Sequence, residues 1–115
     1  MSGQTALIVG GGAVGVDFHL PRLITLCGVT AVTIVEVDAR RRADLAEKFG
    51  ARNDVQVLPA LPQDGRYDIA VIATPPRLHA PYVEELKLCC RQLLIEKALA
   101  NDLAGALSIT ARLVD

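Results

Sequence analysis

The feature that most constrains this chain is a continuously apolar run, Thr5-Ala6-Leu7-Ile8-Val9, that breaks directly into Gly10-Gly11-Gly12-Ala13-Val14-Gly15. A run with no polar alternation suits a strand buried on both faces, as in a parallel sheet covered by helices. The residues after the glycines recur at helical spacing: Val16, Leu20, Leu23, Ile24 and Cys27 fall on one stripe. The chain must therefore turn from strand to helix within a few residues. Pro21 lies inside the helical pattern and predicts a kink, because proline lacks a donor and its ring crowds the preceding turn. Gly28 closes the helix.

The same exchange of short strand-like runs with amphipathic stretches continues to the end. Ala31 to Val37 reads as a second strand, with Asp38 capping a helix that buries Leu45, Ala46 and Phe49 and stops at Gly50. Val55 to Leu58 is a weak third strand and Tyr67 to Ala73 a stronger fourth. Tyr82, Val83, Leu86 and Cys90 form a helical stripe with Pro81 in its first turn. Leu93 to Ile95 is a fifth strand, and Asn101 caps a last stripe carrying Leu103, Ala106, Leu107, Thr110 and Leu113. This alternation predicts an α/β fold: a doubly wound, mostly parallel sheet in three layers, the Rossmann arrangement. The 115 residues are expected to form one domain. The last helical stripe has no following strand, so the chain reads as the N-terminal part of a longer design.

Composition narrows the partners. Charged residues are 22% with a net charge of −1, and the one basic run is Arg40-Arg41-Arg42, which argues against nucleic acid or a membrane surface. Aromatic residues are 3%, too few for base-stacking platforms. No apolar run is long enough to cross a bilayer, and none resembles a signal peptide. Cys27, Cys89 and Cys90 have neither metal nor disulfide spacing, so the expectation is core thiols, Cys89 and Cys90 inside a helix, in a reducing cytoplasm. No metal site is expected.

Gly10 to Gly15 fits G-x-G-x-x-G between a strand and a helix, where glycines permit a tight turn at Gly10, close approach of a pyrophosphate at Gly12, and helix packing at Gly15. The backbone of Ala13 and Val14 would open the helix whose N-terminus favours phosphate. An acid about 20 residues on should accept from the adenosine ribose hydroxyls. Glu36 and Asp38 both qualify, and strand alternation puts them on one side. The N-cap role of Asp38 makes Glu36 the better ribose ligand. An acid there favours NAD over NADP, while the three arginines keep NADP as an alternative.

Ala73-Thr74-Pro75-Pro76-Arg77-Leu78-His79 and Leu94-Ile95-Glu96-Lys97-Ala98 follow the fourth and fifth strands, at the ligand-binding edge of such sheets. Together with the glycines and His19-Leu20-Pro21, they resemble the N-terminal domain of the glucose-fructose oxidoreductase and inositol dehydrogenase family over nearly the whole chain. The resemblance implies that Thr74, Pro75, His79 and Glu96 lie at the cofactor and that Lys97 is the catalytic lysine assisting proton and hydride transfer. Pro76 stands where the family often has Asn, and Ala98 where it has Pro. The Lys97-Ala98 bond is therefore expected trans, since a cis bond without proline costs about 2.5–4 kcal/mol. The implied parent is an NAD(P)-dependent oxidoreductase of a sugar, polyol or similar small molecule, with a second domain for substrate and a homo-oligomeric assembly. A non-catalytic nucleotide-sensing module is the alternative, and an S-adenosylmethionine-dependent methyltransferase ranks third.

Overall fold

The computed structural model describes residues 3–12, 14–96 and 107. Five strands form one sheet: β1 (Gln4–Val9), β2 (Val29–Val35), β3 (Val55–Leu58), β4 (Tyr67–Ile72) and β5 (Cys90–Ile95), in the order β3-β2-β1-β4-β5. Every pairing is parallel, with Val9 opposite both Val35 and Ile72. The chain winds outward from β1 to β3, then returns to β4 and β5, so its direction reverses between β1 and β4. A crevice at the carboxyl ends of these two strands is where such a sheet binds ligands.

The alternation of β1 explains why the run is apolar throughout. Ala6 and Ile8 enter one core with Val16, Leu20, Leu23, Val32, Ile34, Leu45 and Phe49, under helices α1 (Leu20–Leu26) and α2 (Ala39–Phe49). Leu7 and Val9 enter the opposite core with Val35, Ile72, Val83 and Leu86, under α3 (His79–Leu86). Successive side chains of a strand point to opposite faces, so a central strand with helices on both sides has no position for a polar residue.

Four sequence expectations are corrected. The helix after the glycines does not simply kink at Pro21: Val14–His19 is a wide π-helical turn, and α1 starts anew at Leu20 with Pro21 in its first turn. The wider turn immediately before Pro21 is where the helix takes up the missing N–H and the bulk of the ring. Cys90 is the first residue of β5, paired with Tyr67, and Cys89 lies in the turn before it, so neither sits inside a helix. The apolar stripe of α3 ran on into a strand that shares its residue types. Cys27 is exposed and not a core thiol, because α1 ends at Leu26 and the left-handed Gly28 turns the chain into β2. The second strand also ends at Val35, two residues earlier than the pattern suggested. The expected last helix, Asn101 to Leu113, falls almost wholly outside the described residues.

Candidate functional site

At the carboxyl ends of β1, β2 and β4 lies a cleft of about 270 Å³. Gly10, Gly12, Glu36, Val37, Asp38 and Arg41 line one side, and Thr74, Pro75, Arg77, Leu78 and Tyr82 the other. Six of the sequence-predicted residues, Gly10, Gly12, Glu36, Asp38, Thr74 and Pro75, thus meet at one place. The floor is fixed by backbone bonds that extend the ladders: the Gly10 amide donates to Val35 O at 2.9 Å, and the Ala73 amide to Val9 O at 2.9 Å.

Gly10 has φ +105°, a conformation unfavourable to any residue with a Cβ, and a side chain there would also meet Ala73 O at 2.8 Å. Gly15 lies against the loop itself: a Cβ would stand 2.4 Å from Gly10 O and 2.9 Å from Ile8 Cγ2. Gly12 differs from both. Around its missing Cβ, its chain neighbours aside, the only atom of the described residues within 4 Å is Arg41 Nη1, at 3.9 Å. Its bare backbone faces open cleft.

Glu36 is 5% exposed and organises this loop. Its Oε1 accepts from the Gly11 amide at 2.8 Å and from Arg41 Nη1 at 3.3 Å, and its Oε2 from the Asp38 amide at 2.9 Å. Burial by itself would raise the carboxyl pKa. The Asp38 and Gly11 amides, with Arg41, outweigh burial and hold it below its ordinary value of 4.5. A group whose folded pKa is depressed stabilises the fold above its unfolded pKa, and that stability is lost as pH falls through the folded value. Glu36→Gln should remove this acid-side loss from a pH series of melting temperatures. It should also lower stability at neutral pH by about 1–3 kcal/mol, because an amide nitrogen would face a backbone N–H.

Asp38 does what the sequence suggested as its structural role: Oδ1 accepts from the Arg41 amide at 3.0 Å and caps α2. Because β2 ends at Val35, strand alternation does not extend to these residues, and Glu36 turns inward while Asp38 remains exposed. Arg42 donates to Glu36 O at 3.0 Å and Val37 O at 2.8 Å, bracing the turn between β2 and α2.

Across the cleft, the Thr74 hydroxyl oxygen is buried and has no hydrogen-bond partner among the described residues. A buried hydroxyl left unpaired costs about 1–3 kcal/mol, and Thr74 belongs to the cleft lining. His79 does not line the cleft. It is wholly buried beneath it, with Nε2 2.8 Å from Thr74 O, and so holds the loop that carries Thr74. Glu96 also lies apart from the lining: its carboxylate meets His19 Nε2 at 2.7 Å, and its amide donates to Ile72 O at 2.9 Å. Ala13, Lys97 and Ala98 fall outside the described residues. Val14 opens the π-helical turn.

Sequence reasoning passed over Gly11, whose amide reaches Glu36, and gave Tyr82 only its place on the helical stripe, where it does pack against the core, without its second place in the cleft lining. Gly11 stands at a variable position of the glycine pattern. A Cβ there would meet Leu45 Cδ1 at 2.6 Å, a contact that only the folded chain discloses.

The cleft fits a dinucleotide: an open glycine backbone, a carboxylate beside it and an unpaired hydroxyl opposite. The fold and this site define an NAD-binding domain of the Rossmann class. Over residues 5–114 the chain matches the family described as an oxidoreductase family with an NAD-binding Rossmann fold, and it belongs to that family. It is 33% identical over 106 residues to an inositol 2-dehydrogenase of Acidothermus cellulolyticus, an alignment covering 89% of this chain and 30% of that enzyme. Among solved structures, an oxidoreductase from Agrobacterium radiobacter in complex with NAD+, L-tartaric acid and magnesium superposes with a TM-score of 0.79 at 20% identity, over 98% of this chain and 33% of the other. GenD2 from gentamicin A biosynthesis, in complex with NAD, superposes with a TM-score of 0.78 at 27% identity, over 99% and 32%. The chain thus spans about a third of the length of these relatives. Among the described residues no helix is long and apolar enough to cross a membrane, and no cluster of three or more metal-ligating side chains occurs.

Proposed function

We propose that the chain is the cofactor-holding domain, residues 1–115, of a cytoplasmic, homo-oligomeric NAD(P)-dependent oxidoreductase that acts on a polyol, sugar or similar hydroxyl-bearing small molecule. In this reading a second domain supplies most of the substrate pocket. The observation that carries it is the confrontation, across one cleft, of the open Gly12 backbone with the unpaired Thr74 hydroxyl.

Each residue then has a physical task. The amides opening the helix after Gly12 take the pyrophosphate, favoured by the positive end of the helix. Glu36 accepts from the adenosine ribose through the part of its carboxylate not used by Gly11 and Asp38. Val37, 69% exposed at the rim, offers apolar surface to the base. Thr74 and Pro75 close the opposite wall, and His79 keeps Thr74 in place. When bound, the nicotinamide ring supplies hydride acceptance or donation. Lys97 follows directly on Glu96, whose amide is tied to the carboxyl end of β4, and is assigned to proton transfer at the substrate hydroxyl. The His19–Glu96 bond anchors that exit from β5 to the helix layer.

Calorimetric titration with NADH tests the assignment. Saturable binding is expected, weakened about tenfold in Glu36→Ala, the loss of a hydrogen bond to a charged group. A folded chain showing no binding at millimolar NADH would overturn it.

A further inference from the structure

At the opposite edge of the sheet from the cofactor cleft, beside the amino ends of β1, β4 and β5, lies a cavity of about 390 Å³. Cys89 and Cys90 both line it, together with Arg66, Tyr67, Leu88 and Arg91. Cys89 ends the turn after α3 and Cys90 begins β5, so the pair stands where the chain leaves a helix for a strand. The backbone there is fixed on both sides: the Cys89 amide donates to Leu86 O at 3.0 Å, and the Cys89 carbonyl accepts from the Tyr67 amide at 2.8 Å.

Neighbouring side chains of an extended strand point to opposite faces. The turn before β5 instead directs both thiols to one helix end: Cys89 Sγ donates to Glu85 O at 3.1 Å and Cys90 Sγ to Leu86 O at 3.3 Å, two successive carbonyls in the last turn of α3. Carbonyls in that position have no intrahelical partner. The thiols satisfy them, but an S–H is a weak donor and gives up such a bond at little cost. Both cysteines are free thiols, and neither is fully buried.

We propose that Cys89 and Cys90 form a dithiolate site for a soft, two-coordinate cation of the Cu(I) class. Thiolate sulfur selects such ions over harder ones. A closed tetrahedral centre needs four ligands, and no cluster of three or more His, Cys, Asp or Glu side chains occurs among the described residues. Two sulfurs satisfy an ion that takes its ligands in line. On binding, each S–H bond is replaced by a bond from sulfur to the metal, two protons pass to solvent, and no electron is transferred. Two thiolates with one monovalent cation carry a net negative charge, close to the negative end of α3. The guanidiniums of Arg66 and Arg91 on the same lining offset it. Arg91 is 83% exposed and meets Asp68 only at 3.9 Å, so its side chain has room to turn toward the sulfurs.

The test is titration of the full chain, kept reduced and free of oxygen, against Cu(I) held by a chromophoric chelator, whose change of colour reads the ion taken up. One ion per chain is expected, with uptake lost in Cys89→Ser and in Cys90→Ser and unchanged in Cys27→Ser. Serine keeps a donor to the same carbonyl, and a thermal melt checks the fold of each variant. In the unsubstituted chain the ion should protect Cys89 and Cys90 from alkylation, read by mass spectrometry, and leave the exposed Cys27 reactive. No uptake by the folded chain, uptake that either of the Cys89 and Cys90 variants retains, uptake lost equally in Cys27→Ser, or one ion shared between two chains would each overturn the site.

Discussion

Gly12→Val is expected to abolish dinucleotide binding while leaving the melting temperature of the chain within a degree or two. The two effects separate because the one structural bond of Gly12 among the described residues, its carbonyl accepting from the Val16 amide at 3.0 Å, is a backbone bond that a side chain does not replace. Among the described residues, chain neighbours aside, nothing but Arg41 Nη1, at 3.9 Å, lies near the position a Cβ would take, and its backbone is not in the left-handed region. The first atom of a valine side chain therefore meets, at van der Waals distance, only the end of a flexible, half-exposed arginine among the described residues. The two methyl groups of the valine would, however, fill the space through which a pyrophosphate reaches the amides that follow. Loss of two charge-assisted hydrogen bonds corresponds to about a 100-fold or greater fall in affinity. Calorimetry with NADH, alongside a thermal melt of the same sample, measures both. Retained affinity would place the pyrophosphate elsewhere, and a large fall in melting temperature would mean that Gly12 is packed and not open.

The sequence made the layers legible because the runs Ala6–Val9 in β1 and Ile69–Ile72 in β4 are apolar on both faces, and few environments other than a covered parallel sheet allow that. It made Asp38 legible as a cap for a local reason: the cap bond spans three residues, to the amide of Arg41. Contacts made at long separation were not legible. Glu36 reaches Gly11 across 25 positions, and His19 reaches Glu96 across 77. Residue type could nominate Glu36 for a ligand but could not show that most of its acceptors are already used within the protein. The strand start at Cys90 was hidden because Leu86 and Cys90 fit a helical stripe as well as Cys90 and Leu93 fit a strand, and only pairing with Tyr67 decides between them. The π-helical turn before Leu20 was likewise invisible. Pro21 announces an irregularity, but the surrounding packing determines whether it becomes a kink or a change of helix type.

Gly15→Ala is the counterpart of Gly12→Val and should behave oppositely, with stability lost first and binding lost as a consequence. The added methyl would stand 2.4 Å from the Gly10 carbonyl oxygen, far inside van der Waals contact, and 2.9 Å from Ile8 Cγ2 in the centre of β1. Neither neighbour can withdraw freely. The Gly10 carbonyl belongs to a turn pinned by its own amide to Val35 O, and Ile8 is fully buried in the core beneath the helix layer. The helix must therefore lift away from β1, opening the contact of Val16 and Leu20 with Ile8. Overpacking of this kind costs about 1–3 kcal/mol, and the constrained backbone puts Gly15 at the upper end, roughly a 10 °C fall in melting temperature for a chain of this size. Because the same shift displaces the amides that open the helix, NADH affinity should fall together with stability and recover partly at low temperature, where the fold is restored. An unchanged melting temperature in Gly15→Ala would show that helix and strand are not in the close contact described. A lowered melting temperature with undiminished affinity in the folded fraction would show that Gly15 serves the fold alone and that the phosphate-binding geometry does not depend on how closely this helix lies on β1.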